Sequence, residues 1–516
     1  MSSPANTFEA TAFGKKEATG PDKVPAPVRR EPSRNRPLLA LLGSLATVLT
    51  LVSNRYGYYH DELYFLVSGK HPAWGYPDQP PLTPLLARLG DALAPGEVWA
   101  LRVPATICTV LTVLFVALLV RELGGSLRAE LIAAGAFSCS TMVLITGHVL
   151  GTSTTDLTFV AALSWLLCRL IRTGNDRLWL IIGLVLGVGL LNKMTLALWV
   201  FAVLVALVLV GPRRIMYSRW FVVAALVSLA LWTPYLLWQA RHDWPQLTMA
   251  SVLREQAAQG GSLGLLPYQV VVGPLLLPLC VAGGVWLWRS FRVFAVTFIV
   301  FAALLMITGG KATYLASAYP AVFAGAGIAA DRWLHSRQRA ITLYGVLALS
   351  LLIAAPLGLP LLPERTAVAY GKALTVDQAR SQIGWPELAD SVARAMNQLS
   401  PAERSRAVVY TYSYGQAAAL ERFGPARGLP RAYSGHNGFA NWGPPPDSAD
   451  IAVVVDGFRR TGPSDIPEWT WQACQTLTQA GVVEAPAATR ERGKPIWICQ
   501  LRDPWSTVWP HLTRLG

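Results

Sequence analysis

Long apolar runs separated by short polar gaps fill the first two thirds of the chain. Runs of roughly 18 to 20 apolar residues are long enough to cross the hydrocarbon core of a bilayer as a helix. The pattern predicts about eleven such spans, over roughly 37–53, 100–120, 129–149, 155–171, 178–192, 195–211, 220–238, 267–288, 293–308, 317–334 and 341–362. The first run follows a long polar tail, with no small-residue cleavage pattern before the acidic loop, and so reads as a retained span rather than a signal peptide. Between the first two runs, residues 54–99 form a connection too long for a simple turn. Asp61 to Ser68 has helical composition and Pro80 to Leu93 carries apolar residues at helical spacing, so two short helices along the membrane interface are expected there.

After about residue 363 the pattern changes. Charged residues, Pro and Gly become more frequent and no further span occurs. Ala407 to Tyr412 and Ile451 to Val455 read as buried strands, and Pro386 to Gln398 as a helix with its proline in the first turn. The predicted architecture is a polytopic α-helical membrane protein in three parts: a disordered tail (1–36), a transmembrane unit (37–362) and a small α/β domain (363–516), large enough to bury its own core.

Composition supports the membrane reading. Of 516 residues, 53% are hydrophobic and only 14% charged, against about a quarter charged in soluble proteins; the mean hydropathy is +0.38. The net charge of +14 would suit a nucleic-acid partner, but its distribution argues for topology instead. Basic residues fill every second gap: Arg121 and Arg128; Arg169, Arg172 and Arg177; Arg213, Arg214 and Arg219; Arg289 and Arg292; Arg332, Arg337 and Arg339. This positive-inside pattern puts the tail, with Arg29, Arg30, Arg34 and Arg36, in the cytoplasm and the C-terminal part outside. Cys108, Cys139, Cys168 and Cys280 fall in apolar runs and read as small buried thiols. Cys474 and Cys499 lie in the exported part, where a disulfide is permitted.

Candidate chemistry gathers on the outer side. Asp61-Glu62 is flanked by Tyr58, Tyr59, His60, Tyr64 and Phe65. Carboxylates in such surroundings are often partly desolvated and poised for proton transfer, whereas a purely structural pair would complement a helix dipole. Gly75 to Leu82 forms a proline-stiffened turn that would hold Asp78 and Gln79 in place; plain capping by Asp78 is the alternative. Asp156 opens a span from the same side, where it either caps the helix or faces the Asp61 loop across one cavity. Lys193, Arg241 and Lys311 break the positive-inside trend; each alone reads as an interfacial anchor, but a lipid phosphate would partner them together. His60, His71 and His242 could bind a divalent metal with a carboxylate, although no ligand spacing is specific. Gly310-Lys311 is no P-loop, since Leu305 and Ala312 occupy positions that need Gly and Ser/Thr. The lack of a nucleotide fingerprint disfavours an ATP-driven pump or a soluble-type nucleotide-sugar transferase.

An Asp-Glu pair after the first span followed by a Pro-Pro-Leu turn resembles the dolichyl-phosphate-mannose protein mannosyltransferase superfamily, glycosyltransferase family 39. This family has the GT-C fold and includes bacterial aminoarabinose transferases acting on lipid A. Gly189-Leu190-Leu191-Asn192-Lys193, Arg241 to Leu247, Gly310 to Leu315 with Tyr319-Pro320, Tyr414 to Ala417, and Ser434 to Asn437 with Trp442 to Pro445 resemble segments of its members. The resemblance implies a sugar donor on a polyprenyl phosphate in the membrane lipid, an extracytoplasmic acceptor, and transfer with inversion. Asp61 would be the general base, with Glu62 and Asp156 orienting the substrates. Lys193, Arg241, Lys311 and Tyr314 would hold the phosphate, and Tyr59, His60, Asp78, Gln79 and His242 would line the pocket. The aminoarabinose transferases carry Glu-Lys where this chain has Asp78-Gln79, so its donor contacts differ. It has no segment for the β-trefoil domain of the eukaryotic mannosyltransferases, so protein mannosylation is not implied. A transporter or flippase of a lipid-linked sugar is the alternative, for which broken helices near mid-membrane would be expected.

Overall fold

The computed structural model describes residues 35–260, 273, 275–374, 376, 378–456, 473–485 and 489–516. The expected tail, apart from its last two residues, and the start of the run expected at 267–288 lie outside them. The helices are α1 (Arg36–Val52), α2 (His60–Lys70), α3 (Leu82–Leu93), α4 (Val98–Glu122), α5 (Leu127–Ser138), α6 (Thr141–His148), α7 (Thr152–Thr173), α8 (Leu178–Leu190), α9 (Thr195–Val210), α10 (Arg219–Arg241), α11 (Pro245–Gly260), α12 (Leu277–Ser290), α13 (Arg292–Thr308), α14 (Tyr319–Trp333), α15 (Arg337–Gly358), α16 (Glu364–Ala373), α17 (Trp385–Met396), α18 (Pro401–Arg404), α19 (Tyr414–Phe423), α20 (Gly438–Asn441) and α21 (Trp505–Leu512). The strands are β1 (Ala407–Thr411), β2 (Ala432–Tyr433), β3 (Ile451–Val455), β4 (Cys474–Val482) and β5 (Pro495–Leu501).

Among the described residues, α4, α7, α10 and α15 are each long and apolar enough to cross a membrane. The span expected at 129–149 is two helices, α5 and α6, bent by 65°. The break follows from Ser140, whose hydroxyl accepts from Val143 N at 3.3 Å and caps a new helix start. The apolar helices α1, α8, α9 and α13 are shorter, at 17, 13, 16 and 17 residues.

The basic gaps meet at one end of the bundle. Arg121 pairs with Glu130, Arg172 and Arg169 with Glu122, and Arg128 with Asp331, tying α4, α5, α7 and α14 together. Elsewhere α12 and α14 touch backbone to backbone: a Cβ on Gly325 would lie 2.7 Å from Gly283 O. Small residues permit that approach, which maximises dispersion contacts between membrane helices.

At the other end lie α2 and α3, and beyond them a mixed sheet of order β2-β1-β3-β5-β4. β1 pairs in parallel with β2 and β3, and β5 runs antiparallel between β3 and β4. Both faces are covered, which is why β1 and β3 are continuous apolar runs. Val408, Tyr410 and Val454 pack against Trp505 and Trp509 of α21. Val409 and Val453, on the opposite face, share a core with α17, α19, Leu63 and Phe65 of α2, Ala87 of α3 and Leu101 of α4. The sheet-bearing unit therefore rests on the loop after α1 through a common apolar core. Cys474 and Cys499 form the expected disulfide between β4 and β5. Of the free thiols, Cys168 and Cys280 are buried, while Cys108 and Cys139 are only half-buried.

Candidate active site

Asp61 and Glu62 are the second and third residues of α2 and diverge. Glu62 turns inward and is fully buried. Its carboxylate accepts Tyr59 N at 2.8 Å, closing the helix start, and Leu150 N at 2.8 Å from the α6–α7 connection. Arg102 of α4 grips it in a fork, Nε to Oε1 at 2.9 Å and Nη2 to Oε2 at 2.8 Å. The rest of the guanidinium donates to Ser53 O, Gly57 O, Gln382 Oε1 and His148 Nε2.

Asp61 turns outward, with about a third of its side chain exposed (35%). One oxygen, Oδ1, accepts the Tyr414 hydroxyl at 2.7 Å and lies 3.2 Å from His60 Nε2. Burial lowers the pKa of His60 and favours its neutral form. Asp61 lines a cavity of about 430 Å³ whose walls are Tyr59, α6, the start of α7, the α8–α9 connection and the 3₁₀ segment Ala312–Ala318.

Lys193, Lys311 and Tyr314 line the same cavity. The connection bearing Lys193 is pinned by buried Asn192, whose Oδ1 accepts from Thr83 and Thr155 and whose Nδ2 donates to Thr152 O. Lys193 donates to Ser153 Oγ at 3.1 Å and lies 4.4 Å from the centre of the Tyr314 ring, a cation–π arrangement. Asp156 is buried behind this wall; Ser317, which lines the cavity, donates to its Oδ2 at 2.5 Å. The cavity thus combines a carboxylate with one oxygen anchored and two ammonium groups able to hold an anion. A proton can leave toward Asp61, and charge developing on a phosphate can be met by the lysines.

Residues 78–238 match the family described as dolichyl-phosphate-mannose-protein mannosyltransferase. The fold is that of ArnT from Cupriavidus metallidurans: the structure bound to undecaprenyl phosphate superposes with a TM-score of 0.57 at 14% identity, covering 90% of this chain and 98% of that one. This chain shares the fold of a membrane glycosyltransferase. The apo form of the same ArnT gives 0.57 at 16% identity, again over 90% and 98% of the two chains. Arabinofuranosyltransferase AftD from Mycobacteria gives 0.48 at 15%, over 91% of this chain and 40% of that one. No curated protein matches in sequence.

Not every expected site residue reaches the cavity. Tyr59, Asp61, Lys193, Lys311 and Tyr314 line it, Asp156 backs it, and His60 adjoins it through Asp61. Glu62 is spent on Arg102 and on capping α2, and does not line the cavity. Arg241 and His242 lie exposed at the C-terminal end of α10 and do not line the cavity. Trp238 and Tyr235 of that helix pack on Gly75, Gln246 donates to Pro77 O at 3.1 Å, and His242 stacks on Trp238, so this loop braces the 75–80 turn. Asp78 and Gln79 also stay out of the lining. Asp78 bridges Tyr64, at 2.8 Å, and Asn437, at 3.0 Å, and burial pushes its pKa up to about 6; Gln79 is buried. Among the described residues no three His, Cys, Asp or Glu side chains are grouped to hold a metal, and His71 stacks on Trp442.

The sequence reading missed Arg102, Ser317 and Tyr414. Arg102 carried a usable signal: it is a cation at the outer end of an apolar run, the same anomaly that singled out Lys193. Tyr414 lay in a segment resembling family members but without an assigned role, and Ser317 carried no signal that separates it from many other Ser residues.

Proposed function

We propose that this protein is a glycosyltransferase that moves a sugar from a polyprenyl-phosphate donor to an extracytoplasmic acceptor, with inversion at the sugar carbon. Asp61 is the general base that takes the proton of the acceptor hydroxyl. Lys193 and Lys311, with Tyr314 beside them, hold the donor phosphate and stabilise the charge it gains as the glycosidic bond breaks. Asp156 keeps Ser317 and the neighbouring Lys193 in register. The protein spans the plasma membrane about eleven times, the shorter apolar helices included, with its N-terminus in the cytoplasm and its sheet-bearing unit outside. The observation that carries this reading is the single cavity shared by Asp61, Lys193 and Lys311.

The test is Asp61→Asn in proteoliposomes supplied with a polyprenyl-phosphate sugar. Transfer is expected to fall by about 10² or more, the range for loss of an acid–base group; transfer at the wild-type rate removes Asp61 as base. The bent α5–α6 pair, whose second half lines the cavity, favours a second reading, movement of the lipid-linked sugar across the bilayer. Lipid translocation without sugar transfer in the same proteoliposomes would decide for it.

A further inference from the structure

We infer that Tyr414 is a positioning residue for Asp61, and that the sheet-bearing unit thereby completes the transfer site. The inference rests on the reading of Asp61 as base. Tyr414 comes from a part of the chain more than 350 residues away (sequence separation 353), yet its hydroxyl donates to Asp61 Oδ1 at 2.7 Å. Asp61 Oδ2 takes no hydrogen bond among the described residues. The carboxylate is therefore asymmetric, with one oxygen fixed and the other left for a substrate proton.

The phenol is aimed by its own surroundings. Tyr414 is the first residue of α19, whose start is closed by a reciprocal cap: Gln416 N donates to Ser413 Oγ at 3.3 Å, and Ser413 N to Gln416 Oε1 at 3.1 Å. Gln416 is held in turn by Asp456 O and Glu491. The Tyr414 ring packs on Tyr64 at 4.7 Å and His436 at 4.9 Å. A Cβ on Gly415 would lie 3.2 Å from His60 Cβ, so the starts of α19 and α2 are in contact. Burial and the nearby Asp61 charge both push the Tyr414 pKa well above the usual tyrosine range, so it remains a donor.

A hydrogen bond to the ionised form of a carboxylate favours that form. Tyr414 therefore holds the Asp61 carboxylate in one orientation and limits its rotation. The titratable and charged groups around the pair are His60 and Tyr64 on α2, Tyr59, Asp78, Lys193, Lys311 and Tyr314, with His436 against the Tyr414 ring and Arg490 and Glu491 near His60.

The direct test needs no substrate. Purified full-length protein in detergent micelles is treated with a hydrophobic carbodiimide, and the rate of Asp61 labelling at one fixed pH is followed by mass spectrometry. In Tyr414→Phe Asp61 labels about tenfold faster, the factor expected of losing one charge-assisted hydrogen bond. Tyr64→Phe removes a hydroxyl of the same cluster that is bonded to Asp78 instead, and leaves the rate in place. An unchanged rate in Tyr414→Phe overturns the inference, as does an equal rise in both variants, which would mark a general loosening. A second measurement uses mannosyl-phosphoryl undecaprenol as probe and reads release of undecaprenyl phosphate. Tyr414→Phe lowers kcat about tenfold with KM for the probe held. Faster labelling in Tyr414→Phe alongside unimpaired transfer by Asp61→Asn would keep the positioning contact and discard the base assignment, so the two failures are distinguishable.

Discussion

Arg102→Leu is the most demanding test of how the site is held. The guanidinium is 1% exposed and its partner Glu62 fully buried. Leucine removes two charge-assisted bonds to Glu62 and the donors to Ser53 O, Gly57 O, Gln382 and His148. Glu62 keeps only the Tyr59 and Leu150 amides. Breaking a buried ion pair from one side typically costs about 3–5 kcal/mol, because the remaining charge is stranded without water. The additional orphaned acceptors put this case near the upper figure, a large share of a typical 5–15 kcal/mol total. The assay is thermal unfolding in detergent micelles, followed by tryptophan fluorescence, beside the double variant Arg102→Leu/Glu62→Leu. The single variant should be strongly destabilised. The double variant should recover a substantial part of the loss, since no unpaired charge remains. A single-variant loss below about 1 kcal/mol, the scale of an exposed pair, would refute the reasoning, as would strictly additive losses in the double variant.

Three further outcomes follow from the same structure. Burial pushes the Asp78 pKa from 3.8 up to about 6, so the folded state binds the proton more tightly than the unfolded chain. Its stabilising contribution is complete below about pH 4 and is lost as pH rises through about 6; the stability difference between wild type and Asp78→Asn should shift toward the variant across that window, and a difference independent of pH would contradict it. Reduction of Cys474–Cys499, which are 25 residues apart, should cost about 3.5 kcal/mol by loop entropy, read as a lower unfolding temperature with reductant that is absent in a Cys474→Ser/Cys499→Ser variant. Gly283→Ala drives a Cβ to within 2.6 Å of Ala326 N on α14, a backbone atom that cannot rotate away; unfolding in detergent should report a loss of about 1–3 kcal/mol, and wild-type stability would show that α12 and α14 do not pack this tightly.

Much of the architecture was legible because it is written in local patterns. The apolar runs located the long helices, and the continuous apolar stretches located β1 and β3. Asp61 to Ser68 and Pro80 to Leu93 were legible as short helices and became α2 and α3. The break between α5 and α6 was not, because it depends on Ser140 capping a helix inside an otherwise apolar run. The sharing of one core between the sheet and α2 was also hidden, since apolar positions reveal that a face is buried but not against what. Arg241 and His242 were misjudged for a related reason: topology gives the side of the membrane, whereas distance from the cavity is set by how Trp238 and Tyr235 dock on Gly75.

The acid pair shows most clearly where a sequence stops being informative. Adjacent residues on a helix point about 100° apart, so two neighbouring carboxylates cannot both face one cavity without distortion. One must turn toward the protein, and a buried carboxylate needs a cation. The pair therefore implies an inward partner as well as an outward task. Arg102 is that partner, and because it also holds Ser53, Gly57 and Gln382, it fastens the helix start from which Asp61 projects. Tyr414 then chooses which oxygen of the outward acid remains free. Asp61 is thus held in place by two residues contributed from distant points of the chain, and any variant that loosens either should disturb Asp61 without touching it.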